Sequence, residues 1–162
     1  MKNNTQLDYA VIVPCYNEEE RFPFQQFLAF AHTNPEVLIC LVNDGSTDKT
    51  LAVLKGFQVV SPNNVCVYNM PQNGGKSEAV RQGMLHVLEN YSMDLIGFLD
   101  ADLATLPEEF LAMAKYKESK PAIAGIIGSR IPRLGANIVR DDNRSVFSLF
   151  AKHAIRKILR TK

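Results

Sequence analysis

Short apolar runs alternate along the chain with longer stretches whose apolar residues recur at helical spacing. Residues 9–13 are apolar and closed by Pro14, which reads as a buried strand. Phe24, Phe27, Leu28 and Ala31 then mark one face of a helix expected over residues 18–32. Residues 37–42 form a β-branched run ended by Asn43-Asp44-Gly45. Ser46-Thr47-Asp48 has the chemistry of a helix start, and Thr50, Leu51, Val53 and Leu54 carry that helix to Gly56. Residues 65–68 predict a third strand. After Gly75 and Lys76, a helix runs through Ala79, Val80, Met84, Leu85 and Leu88. Residues 94–99 predict a fourth strand. Thr105 and Pro107 open a further helix, with Pro107 in the first turn, where its missing N–H costs little. The apolar run 122–128 predicts a fifth strand.

Strand and helix therefore alternate, and the strand runs are apolar on both faces. That pattern predicts an α/β fold, a mainly parallel sheet flanked by helices. In such sheets ligands bind outside the carboxyl ends of the strands. The residues that follow each run are thus where function is to be sought.

Composition adds two points. The 162 residues and 18.1 kDa make one domain, long enough for a real core. The charges nearly cancel, 18 basic against 17 acidic, which gives no support to nucleic-acid binding. Their distribution is uneven, however: residues 1–129 carry a net −6 and residues 130–162 a net +7. No apolar run approaches the length of a membrane span, and the polar start lacks the apolar core of a signal peptide. Cys15, Cys40 and Cys66 are odd in number and fit no zinc spacing. They read as buried free thiols, so a cytoplasmic setting is expected.

The strand ends gather polar and glycine residues. After the first comes Pro14-Cys15-Tyr16-Asn17-Glu18-Glu19, and after the second Asn43-Asp44-Gly45-Ser46. Asn73-Gly74-Gly75-Lys76, Asp100-Ala101-Asp102 and Gly128-Ser129-Arg130 follow the others. Asp100 and Asp102 are two apart, so both carboxylates can reach one side of the rim. Two close carboxylates repel unless a cation lies between them, and Mg²⁺ takes one or two carboxylates plus substrate phosphates. Alone, so short a pair is more often a solvated turn with a helix N-cap than a metal site. Lys76 after two glycines fits two readings equally: an anion drawn to a helix N-terminus, or a helix-start turn with no ligand. A Walker-type phosphate loop is excluded, because its first glycine would fall at Met70. The first loop also lacks the glycine turn of a nicotinamide-dinucleotide site. Asp44 is placed either to accept from a base N–H or ribose hydroxyl, or to serve as a turn residue beside Gly45.

Together these segments resemble the family 2 glycosyltransferases, inverting enzymes with the GT-A, Rossmann-like nucleotide-diphospho-sugar fold. Val11-Ile12-Val13-Pro14-Cys15-Tyr16-Asn17-Glu18-Glu19 is similar to the family's opening strand and loop. Val42-Asn43-Asp44-Gly45-Ser46-Thr47-Asp48-Lys49-Thr50 resembles its second motif, Asn73-Gly74-Gly75-Lys76-Ser77-Glu78-Ala79-Val80-Arg81-Gln82-Gly83 its third, and Leu99-Asp100-Ala101-Asp102 its D-x-D. Asp100-Ala101-Asp102-Leu103-Ala104-Thr105 and Gly128-Ser129-Arg130 resemble the polyprenyl-phosphate sugar synthases, the dolichyl-phosphate beta-glucosyltransferase type in particular.

The resemblance implies transfer of a hexose from a UDP- or GDP-sugar, with inversion, to a polyprenyl phosphate or a glycan. It implies that Pro14, Tyr16, Glu18 and Asp44 line the nucleoside pocket and that Lys76 lies near the nucleotide. It places Asp100, Ala101 and Asp102 at the donor, with Asp100 and Asp102 holding Mg²⁺ or Mn²⁺, and Arg130 near the sugar or acceptor phosphate. Residues 1–135 would be the donor domain. Residues 136–162 would begin an acceptor-side region whose further segments have no counterpart here.

Within that tail, Phe147, Phe150, Ala154, Ile155, Ile158 and Leu159 form an apolar stripe beside Lys152, Arg156, Lys157 and Arg160. Residues 145–160 then have three readings: packing on a core, lying on the inner face of a membrane, or self-association into a homo-oligomer. The reading opposed to an active transferase is a non-catalytic nucleotide-binding or interaction module on the same fold.

Overall fold

The computed structural model describes residues 7–128. Four strands and four helices alternate: β1 (Tyr9–Cys15), α1 (Phe24–Thr33), β2 (Val37–Asn43), α2 (Thr50–Val60), β3 (Val65–Asn69), α3 (Lys76–Asn90), β4 (Leu95–Phe98) and α4 (Pro107–Glu118). The strands form one parallel sheet in the order β3-β2-β1-β4. Tyr9 is in register with Val37 on one side and Leu95 on the other. The chain direction reverses sides at β1, so the crevice expected of such sheets opens at the carboxyl ends of β1, β2 and β4.

Both faces of the central strands are covered, which is why their sequences are apolar throughout. Val11, Val13, Ile39 and Leu41 meet Phe27 and Phe30 of α1, Leu54 and Phe57 of α2, and Phe110 and Leu111 of α4. Ala10, Ile12, Cys40 and Val42 face the other way, onto Ala79 and Val87 of α3. Gly83 lets α3 approach closely: a Cβ there would lie 2.5 Å from Ile12 Cγ2 and 2.7 Å from Val42 Cγ2. The phenol of Tyr9 donates to Glu118 at 2.7 Å, tying β1 to the end of α4.

The strands and helices fall within a residue or so of where the pattern places them, with four differences. Helix α2 runs past Gly56 to Val60, because Phe57 beyond the glycine is buried in the core. β1 continues through Pro14 to Cys15, because β4 pairs only with residues up to Ile12 and the missing proline N–H falls beyond its end. Helix α1 begins at Phe24; residues 18–22 instead turn back, with the Phe22 N–H donating to the Glu18 carbonyl at 2.8 Å. Residues 122–128 are no strand. Pro121 opens them, the Ile123 N–H closes a turn on the Lys120 carbonyl at 2.9 Å, and Ile127 is 94% exposed. An apolar run needs a neighbouring strand for its backbone groups, and none pairs with it among the described residues.

Arg130, the segment 136–162 with its apolar stripe, and the boundary at residue 135 lie outside the described residues. Among the described residues no helix is long and apolar enough to cross a membrane.

Candidate functional site

The loops after β1, β2, β3 and β4 enclose a cleft of about 490 Å³. It is lined by Pro14, Tyr16, Glu18, Asp44, Lys76, Asp100, Ala101 and Asp102. These are the eight donor-site residues expected from the sequence, drawn from segments up to 88 positions apart. Cys15, Asn73 and Gly75 complete the lining. Asn73 and Gly75 stand in the glycine-rich stretch after β3, and their position at a strand end was the signal for them.

Asp44 anchors the floor. It follows β2, is buried, and accepts the Gly74 N–H on Oδ1 at 2.7 Å, while its own N–H donates to the Cys15 carbonyl at 2.9 Å. One residue thus joins three strand ends, by its carboxylate and its backbone N–H together, and Oδ2 has no protein partner among the described residues. Gly45 follows at φ +60°, and a Cβ there would sit 2.3 Å from the backbone of both Gln72 and Asn73. The turn after β2 is therefore pressed directly against the loop before α3.

Lys76 is the first residue of α3, following Gly75 at φ +84°. No side chain caps this helix end, so its first N–H groups are left for a ligand or water. The Lys76 ammonium pairs with Asp100 Oδ1 and lies 5.9 Å from the Phe98 ring centre. A cationic side chain and a helix N-terminus meet at the same edge, which suits an anion.

Asp100 and Asp102 follow β4 and line the same cleft, with Asp100 held against Lys76. Asp102 Oδ1 accepts the Ala104 N–H at 2.9 Å, and Leu103 takes the left-handed conformation at φ +56°. This tight turn holds Asp102 exposed at the rim, with no hydrogen bond to its second oxygen among the described residues. Among the described residues no group of three or more His, Cys, Asp or Glu side chains is assembled for a metal. Two hard carboxylates beside Lys76 and the α3 N-terminus nonetheless fit Mg²⁺ or Mn²⁺ whose remaining ligands come from substrate phosphates.

Glu18 lies on the β1 side. Burial pushes its carboxyl above the usual carboxylate range, Arg21 at 3.0 Å opposes this, and the charges of Asp102 and Asp48 add to it. Two carboxylates on one cleft thus raise the affinity for a cation or a hydrogen-bond donor between them. Cys15 is no nucleophile, because burial pushes its thiol up.

The chain matches the model for Glycosyl transferase family 2 over residues 10–158. It is 36% identical over 134 residues to a dolichyl-phosphate beta-glucosyltransferase of Trichomonas vaginalis, covering 75% of this chain and 39% of that protein. It is 32% identical over 119 residues to the undecaprenyl-phosphate 4-deoxy-4-formamido-L-arabinose transferase of Photorhabdus laumondii, covering 72% of this chain and 35% of that one. The chain thus spans under half the length of these curated relatives. Among solved structures it is similar to residues 1–349 of TarS from S. aureus, with a TM-score of 0.56 at 22% identity over 78% of this chain and 39% of that one. It is also similar to the mannosyltransferase PcManGT of Pyrobaculum calidifontis in complex with GDP-Man and Mn²⁺, with a TM-score of 0.53 at 19% identity over 70% and 33%. Likenesses at that identity speak to the fold, which is the GT-A arrangement of a parallel sheet between helices. With the family model matching 149 of its 162 residues, the chain belongs to glycosyl transferase family 2.

Proposed function

We propose that the strand-end cleft binds a nucleoside diphosphate sugar with a divalent metal. The protein then passes the hexose, with inversion, to a polyprenyl phosphate. The observation that carries the reading is the convergence of Pro14, Tyr16, Glu18, Asp44, Lys76, Asp100 and Asp102 on one cleft. Pro14 and the half-exposed Tyr16 offer an apolar wall to a base. Glu18 and the open oxygen of Asp44 accept from base N–H or ribose hydroxyl groups. Lys76 and the α3 N-terminus face the diphosphate. Asp100 and Asp102 would hold Mg²⁺ or Mn²⁺, which when bound would neutralise the departing diphosphate.

The acceptor side of the reading comes from the relatives, whose names specify dolichyl and undecaprenyl phosphates. A phosphate acceptor is already anionic, so its attack at the sugar carbon needs little help from a general base. Arg130, by its resemblance, would approach the sugar or that phosphate. A lipid-linked acceptor puts the work at a membrane surface, and a nucleotide-sugar donor puts it on the cytoplasmic face.

Calorimetric titration of the chain with UDP-glucose and GDP-mannose, each with and without Mn²⁺, tests the donor half. One donor is expected to bind, at least about tenfold more tightly with Mn²⁺, as fits a metal bridging carboxylates and phosphates. A folded chain that binds neither donor with Mn²⁺ present would overturn the reading.

A further inference from the structure

Three successive backbone N–H groups of the loop between β1 and α1 end on side chains of the loop between β2 and α2 and of the first residue of α2. Asn17 donates to Ser46 Oγ at 3.1 Å, Glu18 to Thr50 Oγ1 at 2.7 Å and Glu19 to Asp48 Oδ2 at 3.2 Å. The bonding is reciprocal. The Thr47 N–H donates to Asn17 Oδ1 at 3.0 Å and the Lys49 N–H to Glu19 Oε2 at 3.0 Å. Asn17 stands in the left-handed region at φ +53°, a conformation that an asparagine side chain bonded nearby can sustain.

The centre of this clasp is Thr50, which is fully buried. Its hydroxyl donates to Asp48 Oδ1 at 2.5 Å and accepts from Glu18, while its own N–H donates to Asp48 Oδ1 at 2.9 Å. These bonds, the Thr50 hydroxyl first among them, hold the Asp48 carboxyl below the usual carboxylate range. The hydroxyl has no freedom left. Its proton is committed to Asp48, which turns its lone pairs toward the Glu18 amide. Nothing in a helix start demands this. Asp48 alone caps α2, whereas the bonds to Glu18 and Glu19 reach 32 and 29 residues back in the chain.

We propose that Thr50 and Asp48 are positioning residues for nucleotide binding. Through the Thr50 hydroxyl they fix the Glu18 backbone, and with it the turn that presents Tyr16 and Glu18 to the cleft. The proposal rests on the reading of the cleft as a nucleotide site. Neither residue lines the cleft, so both act through the β1 loop.

The test compares Thr50→Val, which keeps the shape and removes the hydroxyl, with Thr50→Ser, which keeps the hydroxyl. Asn64→Ala is the control for lost stability alone. Asn64 is buried before β3, at the opposite rim, bonded to Ala31 and Ser61. Affinity for UDP and GDP with Mn²⁺, melting temperature and hydrogen exchange at the Glu18 amide are read for each. Thr50→Val is expected to lose about tenfold in nucleotide affinity, the scale of one hydrogen bond to a charged network. Its Glu18 amide exchanges faster, while Thr50→Ser stays within about twofold of the parent. Asn64→Ala lowers the melting temperature and leaves affinity unchanged. If the parent chain binds and Thr50→Val binds equally well, or loses no more than Asn64→Ala, the proposal is overturned while the cleft reading stands. If the parent chain binds neither nucleotide, both fall together.

Discussion

Asp102→Ala is expected to abolish the metal-dependent part of nucleotide-sugar binding while the chain stays folded. Asp102 is exposed, and its one hydrogen bond among the described residues is the short-range contact from the Ala104 N–H, so the stability cost should stay at about 1 kcal/mol. The functional cost is larger. Loss of groups that merely orient metal ligands weakens binding by about 10–100-fold, and a ligand itself should lose on the order of a hundredfold or more. Titrating the donor with and without Mn²⁺ separates the two effects. The variant should show one weak affinity that Mn²⁺ no longer improves, at a melting temperature within a few degrees of the parent. A variant that retains the Mn²⁺ enhancement would place the metal elsewhere.

The second large effect is structural. Gly45→Ala puts a Cβ 2.3 Å from the backbone of Gln72 and Asn73, at a φ of +60°. The left-handed conformation alone costs an alanine about 1–2 kcal/mol. The clash is with backbone rather than a flexible side chain, so the loop before α3 must move, which adds about 1–3 kcal/mol. A total of about 3 kcal/mol lowers the melting temperature by roughly 10 °C in a chain of this size. Nucleotide binding should fall as well, because the displaced loop carries Asn73, Gly75 and Lys76. Thermal unfolding with and without nucleotide checks both halves. An unchanged melting temperature would mean that the two loops are not in contact.

The order of elements was legible because each kind of segment leaves a period. Residues 37–42 are buried on both faces and read as a strand whatever their partners. Asn43-Asp44-Gly45 and Asn73-Gly74-Gly75-Lys76 are short polar breaks at predictable rims. The eight expected donor-site residues come together because a parallel sheet delivers its strand ends to one edge. Other features leave no such trace. Residues 122–128 have the composition of a strand, but pairing depends on a neighbour and not on the run itself. Glu18 to Glu20 suit a helix start, yet residues 18–22 form a turn, because the amides of Asn17, Glu18 and Glu19 are taken by Ser46, Thr50 and Asp48. Those bonds join side chains to backbone about thirty residues apart and carry no periodicity. The Lys76–Asp100 pair likewise joins segments that meet only through the fold.

The claim at the centre of this account is that one cleft, built from four strand-end loops, is the nucleotide site. Amide chemical-shift mapping of the chain during titration with UDP and with GDP, in the presence of Mg²⁺, addresses it most directly. The account predicts that one nucleotide moves a single connected set of amides, centred on Tyr16, Glu18, Asp44, Lys76 and Asp102. The opposite rim around Asn34 and Asn64 should stay still. Shifts centred on that opposite rim, or on the outer faces of α1 and α4, would contradict it.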